Sequence, residues 1–195
     1  MSEEEAERRY QTLLQELRRS YPRFRLRSKQ NHPLQRAIHR ALQLLTLGKM
    51  RTYLSEYQTT LGQTVWVTAD WDAQPALQRW VTLRHEAVHL AQFRRLGMVG
   101  IALLYLLVPL PVGLAWFRMR LEREAYEETL RALAEALGVE ALREPGLRSS
   151  IIRQFTGPAY GWMWPFPRAV ARWYDRFVAS LSGQGGCSSE PDSIR

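Results

Sequence analysis

The sequence has almost no cysteine: of its 195 residues only Cys187, near the C-terminus, is one. A single thiol cannot form an intramolecular disulfide, and it cannot supply the several thiolates of most structural zinc sites. A disulfide-stapled fold and a thiolate zinc site are therefore excluded. Any zinc ion in this chain must be bound by histidine and carboxylate side chains.

Lysine is nearly absent as well, since Lys29 and Lys49 are the only two among 27 basic residues. The formal net charge is +8, but the basic residues never form a run longer than two. A nucleic-acid-binding tail or patch normally concentrates such charge. We expect the charge mainly to keep the protein soluble, and nucleic acid is not an expected partner. Anionic lipid and acidic substrates stay open as alternatives.

The N-terminus has no signal-peptide pattern, because residues 1–9 are mostly charged and contain no apolar core. The expected location is therefore cytoplasmic. The length suits one domain over residues 1–183, with N-terminal helices within 1–50. The end of the chain, 184–195, is rich in glycine and serine and is expected to be a disordered tail.

One stretch indicates a chemistry: the pentad His-Glu-Ala-Val-His at 85–89. On a helix, residues four apart lie on one face, so His85 and His89 can bind one metal ion. Glu86 lies beside them and can reach a water molecule in an open coordination position. The pentad predicts a Zn²⁺ site with two imidazole ligands and Glu86 as general base. The alternative is a pair of surface or capping histidines on an ordinary amphipathic helix.

A second predicted helix, 118–138, offers carboxylates for the third ligand. Glu122 lies in a row of that helix that is otherwise mainly apolar, whereas Glu124 and Glu128 share a row with charged residues. Because a ligand must face the motif helix, we predict Glu122, with Glu124 as second choice. Three protein ligands and one open position are typical of a catalytic zinc site.

The remaining periodicity predicts an α+β, mostly helical fold. Strands are expected at 23–29 and as a hairpin over 52–68, and helices at 3–20, 33–46, 76–96, 144–155 and 168–182. The hairpin directly precedes the motif helix. Thr64–Thr68 is either an edge strand that aligns an extended peptide substrate or a plain structural strand.

Residues 96–117 contain no charged side chain. This uncharged stretch is long enough to span a bilayer. A span would, however, separate His89 from the carboxylates that follow by a hydrocarbon core about 30 Å thick. If the zinc site forms, the segment must return to the side that it left. We predict a buried helical hairpin, with peripheral membrane contact as the alternative.

An aromatic loop at 157–167 is the last unusual segment. Its large side chains either cap the core or line the catalytic cleft. In the second case Tyr160 offers a hydroxyl to a developing oxyanion and is a catalytic candidate.

The pentad and the downstream glutamate helix together resemble the zincin metallopeptidases, on the gluzincin side. The metzincin pattern requires Gly and His where this chain has Gln92 and Arg95. Residues 121–125, Leu-Glu-Arg-Glu-Ala, are similar to the Glu-x-x-Ala signature of compact gluzincins, in which the first Glu is the zinc ligand. Those families often have Asp or Asn after the Ala, where this chain has Tyr126.

The resemblance implies a zincin-like domain and a zinc-dependent peptidase that acts on peptide or protein substrates. Three other classes stay open from the sequence. One is a zincin-like binding module without catalysis, and another is a membrane-surface protein that uses residues 96–117. The third, a nucleic-acid binder, would require a steep dependence of DNA binding on salt.

Overall fold

The computed structural model describes residues 1–29, 33, 58–106, 115–157 and 163–184. Within these residues the fold is α+β and mostly helical, with five α-helices and one small sheet. This confirms the predicted fold class. Four predicted parts of the chain lie outside the described residues: 34–46 of the helix at 33–46, most of the strand at 52–59, Tyr160 and residues 185–195.

The sheet has three strands: β1 (Arg25–Ser28), β2 (Thr59–Leu61) and β3 (Thr64–Val67). The β2–β3 hairpin was predicted, and Gly62 occupies its turn with φ of 62°. The order is β1-β3-β2, with β3 parallel to β1 and antiparallel to β2. Of the two alternatives for Thr64–Thr68, the edge strand is therefore wrong and the plain structural strand is found, because β1 pairs with the free side of β3. Among the described strands, β2 is the edge next to the hairpin turn.

Helix α1 (Glu3–Ser20) forms where it was predicted, and its apolar stripe packs on the domain. Ser2 caps it by accepting a hydrogen bond from the backbone N–H of Glu5 at 3.2 Å. Glu3 accepts a 2.6 Å hydrogen bond from the backbone N–H of Ala76. A carboxylate at this position satisfies an amide that helix geometry leaves without a partner. Helix α1 thus fixes the start of the next helix.

Helix α2 (Ala76–Leu106) carries the pentad and is interrupted at Gly97, whose φ of 71° and ψ of 169° are not helical. Glycine tolerates this conformation because it has no Cβ. The helix predicted at 76–96 therefore ends at the interruption, and a second helical segment continues to Leu106. Within the described part of the chain, no helix has the length and apolar character needed to cross a membrane.

Helix α3 (Ala115–Leu137) lies antiparallel to α2, since Arg84 pairs with Glu135 while Gln92 bonds the carbonyl of Leu121. It begins three residues before the predicted start. Gly138 follows it with φ of 86°, as expected for a glycine after a helix end.

Helices α4 (Pro145–Thr156) and α5 (Pro167–Gln184) pack on the other side of α3, after a 3-10 turn at Val139–Arg143. Their apolar cluster is separate from the one that joins α1, the sheet and α2. Met163 is buried in it, and the backbone N–H of Trp164 bonds the carbonyl of Phe155 at 2.9 Å. The described end of the aromatic loop therefore caps this core.

Candidate metal centre

Helices α2 and α3 bring three potential metal ligands together. His85 and His89 are one helical turn apart, and their Nε2 atoms are 3.3 Å from each other. Oε2 of Glu122 lies 3.8 Å from Nε2 of His85 and 3.7 Å from Nε2 of His89. These are the residues predicted as ligands. In the described part of the chain they form the only group of three or more such side chains that could hold a metal ion.

The spacing of the three atoms suits a small divalent cation. The point equidistant from them lies about 2.1 Å from each, within the Zn–N and Zn–O range of about 2.0–2.2 Å. Two imidazoles and one carboxylate are also a common catalytic zinc donor set. The residues therefore fit the ion, although the donor set does not identify the metal.

Both imidazoles are held with Nε2 toward the centre. Nδ1 of His85 is 3.0 Å from Oγ1 of Thr129, whose own hydroxyl donates to the carbonyl of Ala125. The Thr129 oxygen is therefore the acceptor, and Nδ1 of His85 carries the proton. Nε2 of His85 is then left with the lone pair that a metal requires.

Gln92 does the same for His89. Its Oε1 lies 2.9 Å from Nδ1 of His89, and its Nε2 donates to the carbonyl of Leu121 and to Oε2 of Glu124, both at 3.0 Å. The two donor bonds fix which end of the amide is oxygen, so Nδ1 of His89 must donate. Glu124, the second choice for third ligand, thus supports Gln92.

The surroundings favour neutral imidazole at His85. Burial, followed by the adjacent His89, lowers the pKa of His85 to about 3. Burial also opposes the charged form of His89, but the carboxylates of Glu122 and Glu86 outweigh it and raise the pKa of that residue. A neutral His85 beside a carboxylate is ready to bind a cation without first losing a proton.

Glu86 is buried next to the ligands, with 5% of its surface exposed. Its Oε2 accepts a hydrogen bond from Oγ1 of Thr60 on β2 at 2.6 Å. Burial is the main reason why the pKa of Glu86 is raised, and the negative charge of Glu122 adds to it. A carboxylate with a raised pKa is better suited to take and return a proton near neutral pH.

Lys29 interacts electrostatically with Glu86 and is almost completely buried. Its Nζ donates to Oγ1 of Thr59 at 2.8 Å, and its backbone N–H bonds the carbonyl of Val67. Burial lowers the pKa of Lys29 to about 7, although the nearby Glu86 carboxylate opposes the shift. A titratable cation thus sits next to the candidate general base.

One aromatic side chain, Tyr126, and one basic side chain, Arg118, complete the surroundings of the three ligands. The ring of Tyr126 meets His85 edge-on, with centroids 5.0 Å apart, at the position where the resemblance leads one to expect an acidic residue. Thr129, one turn further along α3, supplies the hydrogen bond to His85 instead. Arg118 lies one turn before Glu122, and its positive charge lowers the pKa of His89.

Several of these residues were not predicted from the sequence, namely Thr60, Gln92, Thr129, Lys29 and Arg118. Helical phase offered a signal for three of them. Gln92 is three residues after His89. Thr129 is seven residues after Glu122 and Arg118 is four residues before it, so each of the three shares a helix face with a predicted metal ligand. The sheet residues gave no such signal, since their approach to Glu86 depends on how the strands pack on α2. Tyr160 is outside the described residues.

No family model, curated protein or solved structure matches the chain. Function is therefore inferred from the side chains and their geometry.

Proposed function

We propose that this chain is a zinc-dependent peptidase with a zincin-like, gluzincin-type site. The convergence of Nε2 of His85, Nε2 of His89 and Oε2 of Glu122 within 3.8 Å of one another carries the proposal. The burial of Glu86 beside them supports it, because hydrolysis needs a proton acceptor as well as a metal. When bound there, zinc supplies a Lewis acid that lowers the pKa of a coordinated water to about 7.

The residues of the chain have separate tasks in this mechanism. His85, His89 and Glu122 would hold the metal. Glu86 would accept a proton from the attacking water and deliver it to the leaving amine as the carbon–nitrogen bond breaks, so that the proton is conserved over the reaction. Arg118 lies one helical turn before Glu122 and its positive charge acts on His89, so its guanidinium is the candidate donor for the developing oxyanion.

Strand β2 is the candidate guide for the substrate. Thr60 lies on this strand and contacts Glu86 directly, so the described edge of the sheet lies beside the general base. An extended peptide can pair with an exposed edge through main-chain hydrogen bonds. The substrate-aligning role that was one of the alternatives for Thr64–Thr68 is therefore proposed for Thr59–Leu61 instead.

Hydrolysis of a quenched fluorogenic peptide library by the zinc-loaded protein tests the proposal. Glu86→Gln keeps the size and shape of the side chain but removes the carboxylate that accepts the proton. We expect it to retain stoichiometric zinc, measured by plasma emission, and to lose at least about 100-fold in turnover. Glu16→Gln, an exposed change on α1, is the matched control and should behave as wild type.

Undiminished turnover in Glu86→Gln would remove Glu86 from the mechanism. A wild-type protein that binds zinc through a closed set of four protein ligands, and cleaves nothing in the library, would instead be a zincin-like binding module.

A further inference from the structure

The helical segments on either side of residues 107–114 expose large apolar side chains. The exposed fractions are 58% for Met98, 73% for Val99, 37% for Trp116 and 43% for Phe117. We call these four residues the apolar face. They belong to the uncharged stretch 96–117, which makes this face part of a long apolar segment rather than a set of isolated residues.

Both ends of that stretch lie on one side of the molecule. Gln92, four residues before it, donates to Glu124, seven residues after it, at 3.0 Å. Likewise, Nε2 of His89, before the stretch, lies 3.7 Å from Oε2 of Glu122, after it. A stretch whose two ends meet in this way can dip into an apolar phase and return, but it does not cross one.

Arginines border the apolar face on both sides. Arg94 and Arg95 precede the stretch, Arg120 follows it, and all three are exposed. Arg120 lies over the ring of Trp116, with its guanidinium carbon 5.0 Å from the ring centroid. No acidic residue occurs between 96 and 117, and the chain as a whole carries +8. This distribution is complementary to a negatively charged surface with an apolar interior.

We propose that the apolar face inserts into the interfacial layer of an anionic lipid bilayer, with Arg94, Arg95 and Arg120 at the level of the headgroups. Tryptophan favours this layer because its ring is apolar and its N–H is polar. Arginine side chains extend along apolar surfaces and place their charge among phosphates. The insertion is shallow, because the four residues lie at the two ends of the stretch 96–117. The parts of α2 and α3 that carry the candidate metal ligands stay outside the bilayer.

Co-sedimentation of the full chain with phosphatidylcholine vesicles containing about 30 mol % phosphatidylglycerol tests this proposal. We expect the wild type to bind, and to bind at least about tenfold more weakly to vesicles of phosphatidylcholine alone or at high salt. The variant Met98→Ser, Val99→Ser, Trp116→Ser, Phe117→Ser should lose binding to both kinds of vesicle. Val99→Asp, a single change at the most exposed of the four positions, should weaken binding even if the quadruple variant does not fold.

The matched controls are Leu137→Ser and Phe166→Ser, which remove exposed apolar side chains outside this face and should bind like wild type. Arg94→Gln, Arg95→Gln, Arg120→Gln should reduce binding to the anionic vesicles only. Vesicle binding that survives both Val99→Asp and the quadruple change, or wild-type protein that stays in the supernatant, overturns the proposal. Self-association that Val99→Asp abolishes, without vesicle binding, would show that a second copy covers the face and also overturns it.

Discussion

Oγ1 of Thr60 donates a hydrogen bond to Oε2 of Glu86 across 2.6 Å, and thereby joins the edge strand of the sheet to the candidate general base. Both side chains of this contact are buried. It places the sheet and the pentad helix in one unit, although 26 residues separate the two side chains.

Removal of this hydroxyl should destabilise the fold. Thr60→Val keeps the shape of the side chain but leaves a buried carboxylate oxygen without its donor. We expect the free energy of unfolding to fall by about 1–3 kcal/mol, measured by urea denaturation of the metal-free protein. Thr60→Ser retains the hydroxyl and should lose clearly less. A Thr60→Val variant as stable as wild type would show that the hydrogen bond does not contribute to stability.

The hydrogen bonds behind the imidazoles should control metal affinity. Gln92→Leu and Thr129→Val each remove the acceptor that orients one histidine, and we expect either change to weaken zinc binding by about 10–100-fold. Competition with a chromogenic chelator measures the affinity. Gln78→Leu is the matched change at an exposed position of α2, and Thr129→Ser keeps the acceptor at Thr129. Wild-type affinity in both Gln92→Leu and Thr129→Val would contradict the assigned proton positions on His85 and His89.

Lys29 should make stability depend on pH. Its folded pKa is lowered to about 7, whereas the unfolded side chain keeps a proton up to about pH 10.4. Between these values the unfolded chain binds more protons, so the free energy of unfolding contributed by Lys29 rises with pH, by up to about 1.4 kcal/mol per unit. Below the folded pKa both states are protonated and the contribution is constant.

The measurement compares urea denaturation of Glu86→Gln with Glu86→Gln, Lys29→Met from pH 6 to about pH 9. The shared Glu86→Gln background removes titration of that carboxylate and should lower the folded pKa of Lys29 further, because Glu86 opposes the shift. The stability of the single variant relative to the double variant should therefore rise with pH. A constant difference over the whole range would mean that Lys29 keeps an ordinary pKa.

Two glycines of α2 should respond to alanine in opposite directions. Gly97 has φ of 71° and ψ of 169°, a conformation restricted largely to glycine, so Gly97→Ala should lower the free energy of unfolding by about 1–3 kcal/mol. Gly100 is helical, and a Cβ there would lie 3.4 Å from Cβ of Leu96, so Gly100→Ala should be neutral or stabilise by up to about 1 kcal/mol. Thermal or urea unfolding distinguishes them. A neutral Gly97→Ala would mean that the helix runs straight through this position.

Much of the candidate site follows from helical periodicity alone. The spacing of His85 and His89 places both on one face, and the apolar row around Glu122 turns this carboxylate, rather than Glu124, toward them. Each relationship depends on the periodicity of one helix, so it can be predicted from the sequence. The hairpin turn at Gly62 and the helix end at Gly138 can be predicted as well, because each needs a backbone conformation that favours glycine.

What could not be predicted depends on contacts between elements. Strand β1 takes the free side of β3, and no periodic pattern in either strand records that choice. The approach of Thr60 and Lys29 to Glu86 depends in turn on the sheet order and on its packing against α2. The proton positions on His85 and His89 depend on Thr129 and Gln92, whose roles become visible only when α2 and α3 are placed side by side.

The coordination of zinc is the most direct test of the central claim. Crystals of the zinc-loaded protein, with anomalous data collected on both sides of the zinc absorption edge, would locate the ion and its ligands. The ion should be bound by Nε2 of His85, Nε2 of His89 and a carboxylate oxygen of Glu122, with one position left to solvent. An ion bound through Glu124, a fourth protein ligand in the open position, or no anomalous peak near His85 would contradict the account.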